Sequence, residues 1–184
     1  MRKVFLVLSS LFLIYLILPG PSKISDFKPL PDAMVSDLSG DTWQVENVVG
    51  YFSNNYRDFA TSLYYQNFRE LNFLPFPPLK LNHPPEYAYQ YIKDQTDSTY
   101  LEEYFYPLRG SLFVNGFEPF EEDSKAPRWR NASKFFTGSD HEKETKVTLR
   151  YDHVPLHSRI LVWLAINLSV IYLWKLGKKA VQDD

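Results

Sequence analysis

Histidines and acids are the groups through which this chain could do proton or metal chemistry, and it holds only four histidines: His83, His141, His153 and His157. His153 and His157 are the one close pair, with Asp152 beside them. On an unbroken helix an i, i+4 histidine pair shares a face and can ligate a metal. Pro155 lies between the two and disfavours that helix. Asp152, His153 and His157 therefore read as a weak ionisable cluster just outside an apolar segment, whose only chemistry would be protonation near neutral pH. The adjacent acids Glu102-Glu103 and Glu121-Glu122 would suit two-carboxylate glycoside hydrolysis, but neighbouring side chains diverge along the chain. Asp94, Asp97 and Glu102 offer oxygen ligands without the spacing of an EF-hand loop.

The chain has no cysteine, which removes thiolate catalysis, Cys-ligated zinc and iron–sulfur clusters. It carries no G-x-S-x-G, H-E-x-x-H, Walker A or G-x-G-x-x-G pattern. These residues assign no catalytic group, no metal ligand and no cofactor. Asn131-Ala132-Ser133 is a glycosylation sequon, with meaning only if the segment faces a glycosylating compartment. The densest unusual feature is aromatic: Tyr87, Tyr89, Tyr91, Tyr100, Tyr104, Phe105 and Tyr106 fall within twenty positions. Tyrosine suits surfaces where one end is apolar and the other wet. Tyr87, Tyr91, Tyr100, Tyr104 and Tyr106 are thus the candidate binding face, for a glycan, peptide or lipid head group; the alternative is a packed core with tyrosines at its edge.

Two apolar segments bracket these residues. Val4–Leu18 is uncharged and follows Arg2-Lys3; at 1.5 Å per residue it covers about 22 Å, short of a ~30 Å hydrocarbon core. Snorkelling by Arg2 and Lys3 would close the gap, and Pro19-Gly20-Pro21 stops the helix. The segment reads as an uncleaved signal anchor; a cleaved signal peptide is the alternative, with Gly20-Pro21-Ser22 a poor cleavage site. Ile160–Trp174 has Trp163 near one end, Tyr172 and Trp174 at the other, then Lys175, Lys178 and Lys179. Interfacial aromatics and a basic flank mark a transmembrane helix. Basic residues outside both segments put both termini in the cytoplasm and the middle outside; Arg159 is a mild contradiction. Within the second segment Ala165, Asn167 and Ser169 are the candidates for helix packing, with Asn167 hydrogen-bonded across the pair.

Net charge is −2; the terminal segments carry six basic and two acidic residues, which leaves residues 19–158 at −6. An acidic middle argues against nucleic acid. Prolines number 13 against 7 glycines, so turns and extended connections abound. Residues 19–45 read as an irregular stalk. Val45, Val49, Phe52, Tyr56, Phe59, Leu63 and Phe68 predict an amphipathic helix from about Glu46 to Phe73, breakable at Ser53-Asn54-Asn55. Leu74 to Pro85 reads as a polyproline-like linker, Pro85–Lys93 as a short helix, and Tyr100–Tyr106 as another, capped by Thr99 and Glu102. Ser111–Val114 is a strand with a turn at Asn115-Gly116, Ser133–Thr137 a second, Thr137–Glu144 a loop, and Thr145–Tyr151 the best strand.

The expected fold class is α+β: two terminal transmembrane helices flanking a small extracytoplasmic domain of helices followed by a short antiparallel sheet. The expected divisions are 1–18, 19–45, 46–158, 159–176 and a cytoplasmic tail at 177–184. These features point to a non-enzymatic accessory or scaffold protein of a membrane complex, partnered by the bilayer and by another membrane protein or further copies of itself. An extracytoplasmic binding module is the alternative, and an enzyme with an unrecognised site the third. The location is the cell membrane, or the endoplasmic reticulum with a lumenal domain.

Overall fold

A computed structural model describes residues 2–38, 41, 46–92, 98–118, 135–137 and 141–183. The chain divides into two compact units, one made of Met1–Pro19 with Val154–Asp184 and the other of Gly20–His153.

The first unit is a pair of helices, α1 (Arg2–Ile17) and, in chain order last, α4 (Leu156–Asp183). Leu156–Ala180 is the one stretch among the described residues long and apolar enough to cross a membrane; α1, with 16 residues, is shorter. Their apolar side chains stand outward: Val4, Leu8 and Leu11 on α1, and Leu161, Leu168 and Leu173 on α4, are all more than half exposed. Pro155 sits immediately before α4, where its carbonyl accepts from the Arg159 N–H and opens the helix. The helix continues past Lys175, Lys178 and Lys179.

The second unit is α+β. In chain order it holds β1 (Met34–Val35), β2 (Val48–Ser53), α2 (Arg57–Asn72), β3 (Leu79–His83), α3 (Ala88–Tyr91), β4 (Tyr100–Tyr106), β5 (Gly110–Phe117), β6 (Phe135–Thr137), β7 (His141–Lys143) and β8 (Thr145–His153). Six strands form one antiparallel sheet in the order β1-β2-β8-β5-β4-β3, and β6 pairs with β7 separately. The long strand β8 lies between β2 and β5, so Tyr51 pairs with Val147, which pairs with Gly116, which pairs with Tyr100. That row and its neighbours build one face of the sheet: Tyr100, Glu102, Tyr104 and Tyr106 on β4, Leu112 and Val114 on β5, Val147, Leu149 and Tyr151 on β8, all buried. Against it α2 lays Ala60, Tyr64 and Phe68, a stripe at helical spacing. Phe68 is fully buried, with ring centres 5.4 Å from Tyr106, 6.2 Å from Phe27 and 6.3 Å from Tyr151. The opposite face is covered in part by Ala88 and Ile92, which pack with Leu101 and Phe113.

Several expected elements differ. The segment Tyr100–Tyr106 is a strand, because its Tyr and Glu residues alternate onto one face and aromatic residues favour a pleated surface. The Thr99 hydroxyl does not cap a helix; it donates to the Gly116 carbonyl. The single helix expected from Glu46 resolves into β2 and α2, divided at Asn54–Tyr56; three- and four-residue recurrence does not separate a short buried strand from a helix. Asn115-Gly116 is not a turn but lies inside β5, where the Tyr100 ring crosses so closely that a Cβ on Gly116 would stand 2.1 Å from its Cζ. Glycine serves here for close approach and not for a left-handed bend. The proline-rich linker contains β3, and the expected 137–144 loop contains β7. Helices therefore do not precede the sheet; strands stand on both sides of α2 in sequence. Residues of the expected stalk join this unit: Phe27 and Leu30 are buried, β1 pairs with β2, and the Tyr151 hydroxyl donates to the Pro21 carbonyl.

Candidate functional site

The side-chain alternation of β4 sends its two adjacent carboxylates in opposite directions. Glu102 points into the face covered by α2 and is 2% exposed. Its Oε1 accepts from Arg57 Nη2 at 2.9 Å and Nε at 3.2 Å. Its Oε2 meets Lys80 Nζ at 2.7 Å and the Tyr104 hydroxyl at 2.5 Å. Arg57 is the first residue of α2, where the Glu118 carboxylate accepts its backbone N–H, satisfying one orphan donor of the helix terminus. Lys80 comes from the edge strand β3, opposite Tyr104 in register. The Arg57 guanidinium also lies 5.4 Å from the centre of the Tyr100 ring.

These contacts set the proton affinities. Burial pushes the Glu102 carboxyl up, but hydrogen bonds from Lys80, Tyr104 and Arg57, with the Lys80 charge, outweigh it, so its pKa falls below the ordinary value. Burial, and then the bond to Glu102, pushes the Tyr104 phenol up; burial does the same for Tyr100. Glu102 is thus an ionised carboxylate with both oxygens occupied, and Tyr104 a protonated donor. The cluster closes on itself, with no oxygen of Glu102 lacking a partner to take a substrate proton.

Glu103 faces the other way. One oxygen accepts from the Ser111 hydroxyl at 2.7 Å, and the other lies 2.8 Å from His83 Nε2. Serine and histidine both end on the same carboxylate and do not bond to each other, so this trio is not a nucleophile–base relay.

The tyrosines of the expected binding face separate. Tyr100, Tyr104 and Tyr106 are buried to 3% exposure or less, whereas Tyr87 is about half exposed at 49%, with Tyr89 beside it similarly exposed. Tyr91 lies on α3, and its side chain falls outside the described residues. The three tyrosines on β4 are therefore core groups that share no surface with Tyr87; strand period, not helical period, decides which of them point together.

Asp152 is exposed on β8 and bonds to Arg150 Nε at 2.9 Å. The His153 ring lies 6.2 Å from that of Tyr151, tilted by 44°, and His157 stands exposed in the first turn of α4. The two histidines sit on different elements, and the described residues include no group of three or more His, Asp or Glu placed to hold a metal. Asp152 and His153 line an open cavity of about 550 Å3 with Ser22, Glu46, Asn47 and Arg150.

In the helical unit the Ser9 hydroxyl donates to Asn167 Oδ1 at 2.6 Å, Asn167 Nδ2 donates to the Trp163 carbonyl at 2.8 Å, and Trp163 Nε1 donates to the Ser9 carbonyl at 3.0 Å. Ala165 and Ser169 are exposed. Arg159 is buried and donates to the Leu16 carbonyl at 3.4 Å and to the Val154 carbonyl at 2.7 Å. A cation on the last carbonyls of α1 is favourable for the helix dipole.

Sequence reasoning missed a smaller cavity of about 290 Å3, walled by Asp58, Thr61, Ser62 and Tyr65 of α2 and by Lys80 and Tyr104 of the sheet. The spacing of 58, 61, 62 and 65 is a signal for one helix face, readable once the helix start is known. That Lys80 faces them is set by the β3–β4 register, which no local pattern reveals. No protein-family model, no curated protein and no solved structure matches this chain.

Proposed function

We propose that the chain is a two-pass membrane protein of the cell membrane, with both termini cytoplasmic, that presents its sheet unit outside as a non-catalytic accessory or scaffold subunit of a membrane complex. One observation carries the reading: α1 and α4 bond to each other through Ser9, Trp163 and Asn167 while their remaining apolar side chains stand exposed. Two helices with outward Val and Leu would associate non-specifically in water, whereas in lipid that surface is solvated and the few polar groups are the ones that need partners. Arg159 then has a task other than orienting the segment, which removes its weight against three cytoplasmic lysines. The accessory role is supported by the sheet unit, whose buried carboxylates Glu102 and Asp41 are each engaged by cations and not by a nucleophile–base pair.

The cysteine-free sequence permits a direct test with single-cysteine variants Lys3→Cys, Lys23→Cys and Lys179→Cys. A membrane-impermeant maleimide on intact cells should label Lys23→Cys alone. Labelling of Lys179→Cys from outside would overturn the orientation, and loss of the Lys3 site from the mature protein would show cleavage of the first helix. Crosslinking in cells before mild-detergent purification should recover a stoichiometric membrane-protein partner; a lone monomer would overturn the accessory role.

A further inference from the structure

We propose that the cavity between α2 and the β3–β4 strands binds a single saccharide ring. Its two walls differ in kind. From α2, one turn apart, come the Asp58 carboxylate, the Ser62 hydroxyl and the half-buried Tyr65. From the sheet come the Lys80 ammonium and the Tyr104 ring, with Tyr65 edge-on to Tyr104 at 5.2 Å and 81°. Among the described residues no hydrogen bond or ion pair occupies Asp58 or Ser62, and Tyr65 is held only through its ring. Lys80 is fixed by its 2.7 Å bond to Glu102, which takes one of its three donors.

The chemistry of the walls selects the ligand. Asp58 only accepts hydrogen bonds and Lys80 only donates them. A simple cation would satisfy Asp58 and be repelled by Lys80; a simple anion would meet the reverse. A polyol satisfies both, because each hydroxyl donates and accepts, and the C–H face of a sugar ring suits an aromatic side chain such as Tyr65. A volume of about 290 Å3 lies just below the ~300–1,000 Å3 range of drug-sized sites, which suits one ring or one branch end and not a chain. The inference does not depend on which membrane complex the protein serves.

The test uses the full chain in a detergent without a sugar head group. Saturation-transfer NMR is recorded with glucose, galactose and N-acetylglucosamine, and with choline and acetate as single-charge probes, each at about 5 mM to suit the weak affinity of a small open site. At least one sugar should show transfer to its ring protons, and Asp58→Asn and Tyr65→Ala should each reduce it by at least about threefold, roughly 0.65 kcal/mol. Thermal melts followed by circular dichroism check that both variants fold; if either melts early, Ser62→Leu, which fills the cavity from an exposed position, replaces it. Absence of transfer from all three sugars, transfer that survives either folded variant, or transfer from choline or acetate in place of sugar would overturn the proposal.

Discussion

The two units of this protein treat buried polar groups in opposite proportion. In the sheet unit the interior holds full charges: Glu102 is enclosed by Arg57, Lys80 and Tyr104, and Asp41 by Lys146 at 2.9 Å and by the Ser36 hydroxyl. Around them lies a dense aromatic core of Phe27, Tyr64, Phe68, Tyr106 and Tyr151. In the helical unit the inter-helix bonds involve one serine, one asparagine, one indole and one arginine, and the surrounding side chains are apolar and outward. The sheet unit is organised by expelling apolar surface from water, which makes it tolerant of a few well-paired charges. The helical unit has its apolar surface on the outside, so contact between its helices rests on packing and a handful of hydrogen bonds. Apolar truncation should therefore matter most in the sheet unit, and the loss of a single polar group in the helical unit should be mild.

The largest effect expected is from Phe68→Ala. The ring touches three other aromatic rings and has no solvent exposure, so removing it opens a cavity at the centre of the sheet unit. The cost should be about 3–5 kcal/mol, read as a fall in the urea midpoint of the purified protein. A loss below about 1 kcal/mol would mean the interior collapses around the gap, and that the unit is not organised around this stripe.

Next comes the charge cluster. Replacing both cations, Arg57→Met with Lys80→Met, strands the buried Glu102 carboxylate with only the Tyr104 hydroxyl and should cost about 3 kcal/mol. Adding Glu102→Gln to that pair should recover most of the loss, since the stranded charge is then gone. Glu102→Gln alone gives the pH dependence. Because the folded carboxyl has a lowered pKa, its stabilisation is fully present above the unfolded value near 4.3 and is lost as pH falls through the lower folded value. The stability gap between the wild type and Glu102→Gln should therefore be constant above about pH 5 and shrink below about pH 4. A gap that widens in acid would reverse the sign of the Glu102 shift.

How much of this was legible in the sequence follows from how local each feature is. The strand Thr145–Tyr151 is encoded by alternation and β-branched residues at its own positions, and the structure extends it only to His153. The apolar run Ile160–Trp174 is likewise written at its own positions, and the helix extends past it at both ends, over Leu156–Asp183. Tyr100–Tyr106 misled because its tyrosines satisfy a helical and a strand period at once, and the choice is made by pairing with Gly110–Phe117. Asn115-Gly116 misled because a turn dipeptide and a glycine cleared for a crossing ring look the same until Tyr100 is placed. The site suffers from the same limit in stronger form. Glu102 was visible as an acid, but Arg57 and Lys80 approach from elements 45 and 22 positions away in the chain, and only sheet register joins them.

The smallest effect tests the helical unit and with it the contrast between the two. Asn167→Leu removes the acceptor for Ser9 and the donor to Trp163 while keeping the same branched heavy-atom skeleton. Trp163 keeps its bond to the Ser9 carbonyl and Arg159 its bond to the Leu16 carbonyl, so two polar links between the helices remain among the described residues. Interhelical hydrogen bonds in lipid average about 0.6 kcal/mol and reach at most about 1.7, so the variant should lower the midpoint for separating α1 from α4 only slightly. The readout is crosslinking between cysteines placed at Phe5 and Val170, titrated with a denaturing detergent, beside the urea midpoint of the sheet unit in the same sample. The crosslink should weaken by a small shift and the urea midpoint should not move. A urea midpoint that fell as far as in Phe68→Ala would mean that the units unfold as one, and the contrast in how each is held together would have no energetic meaning.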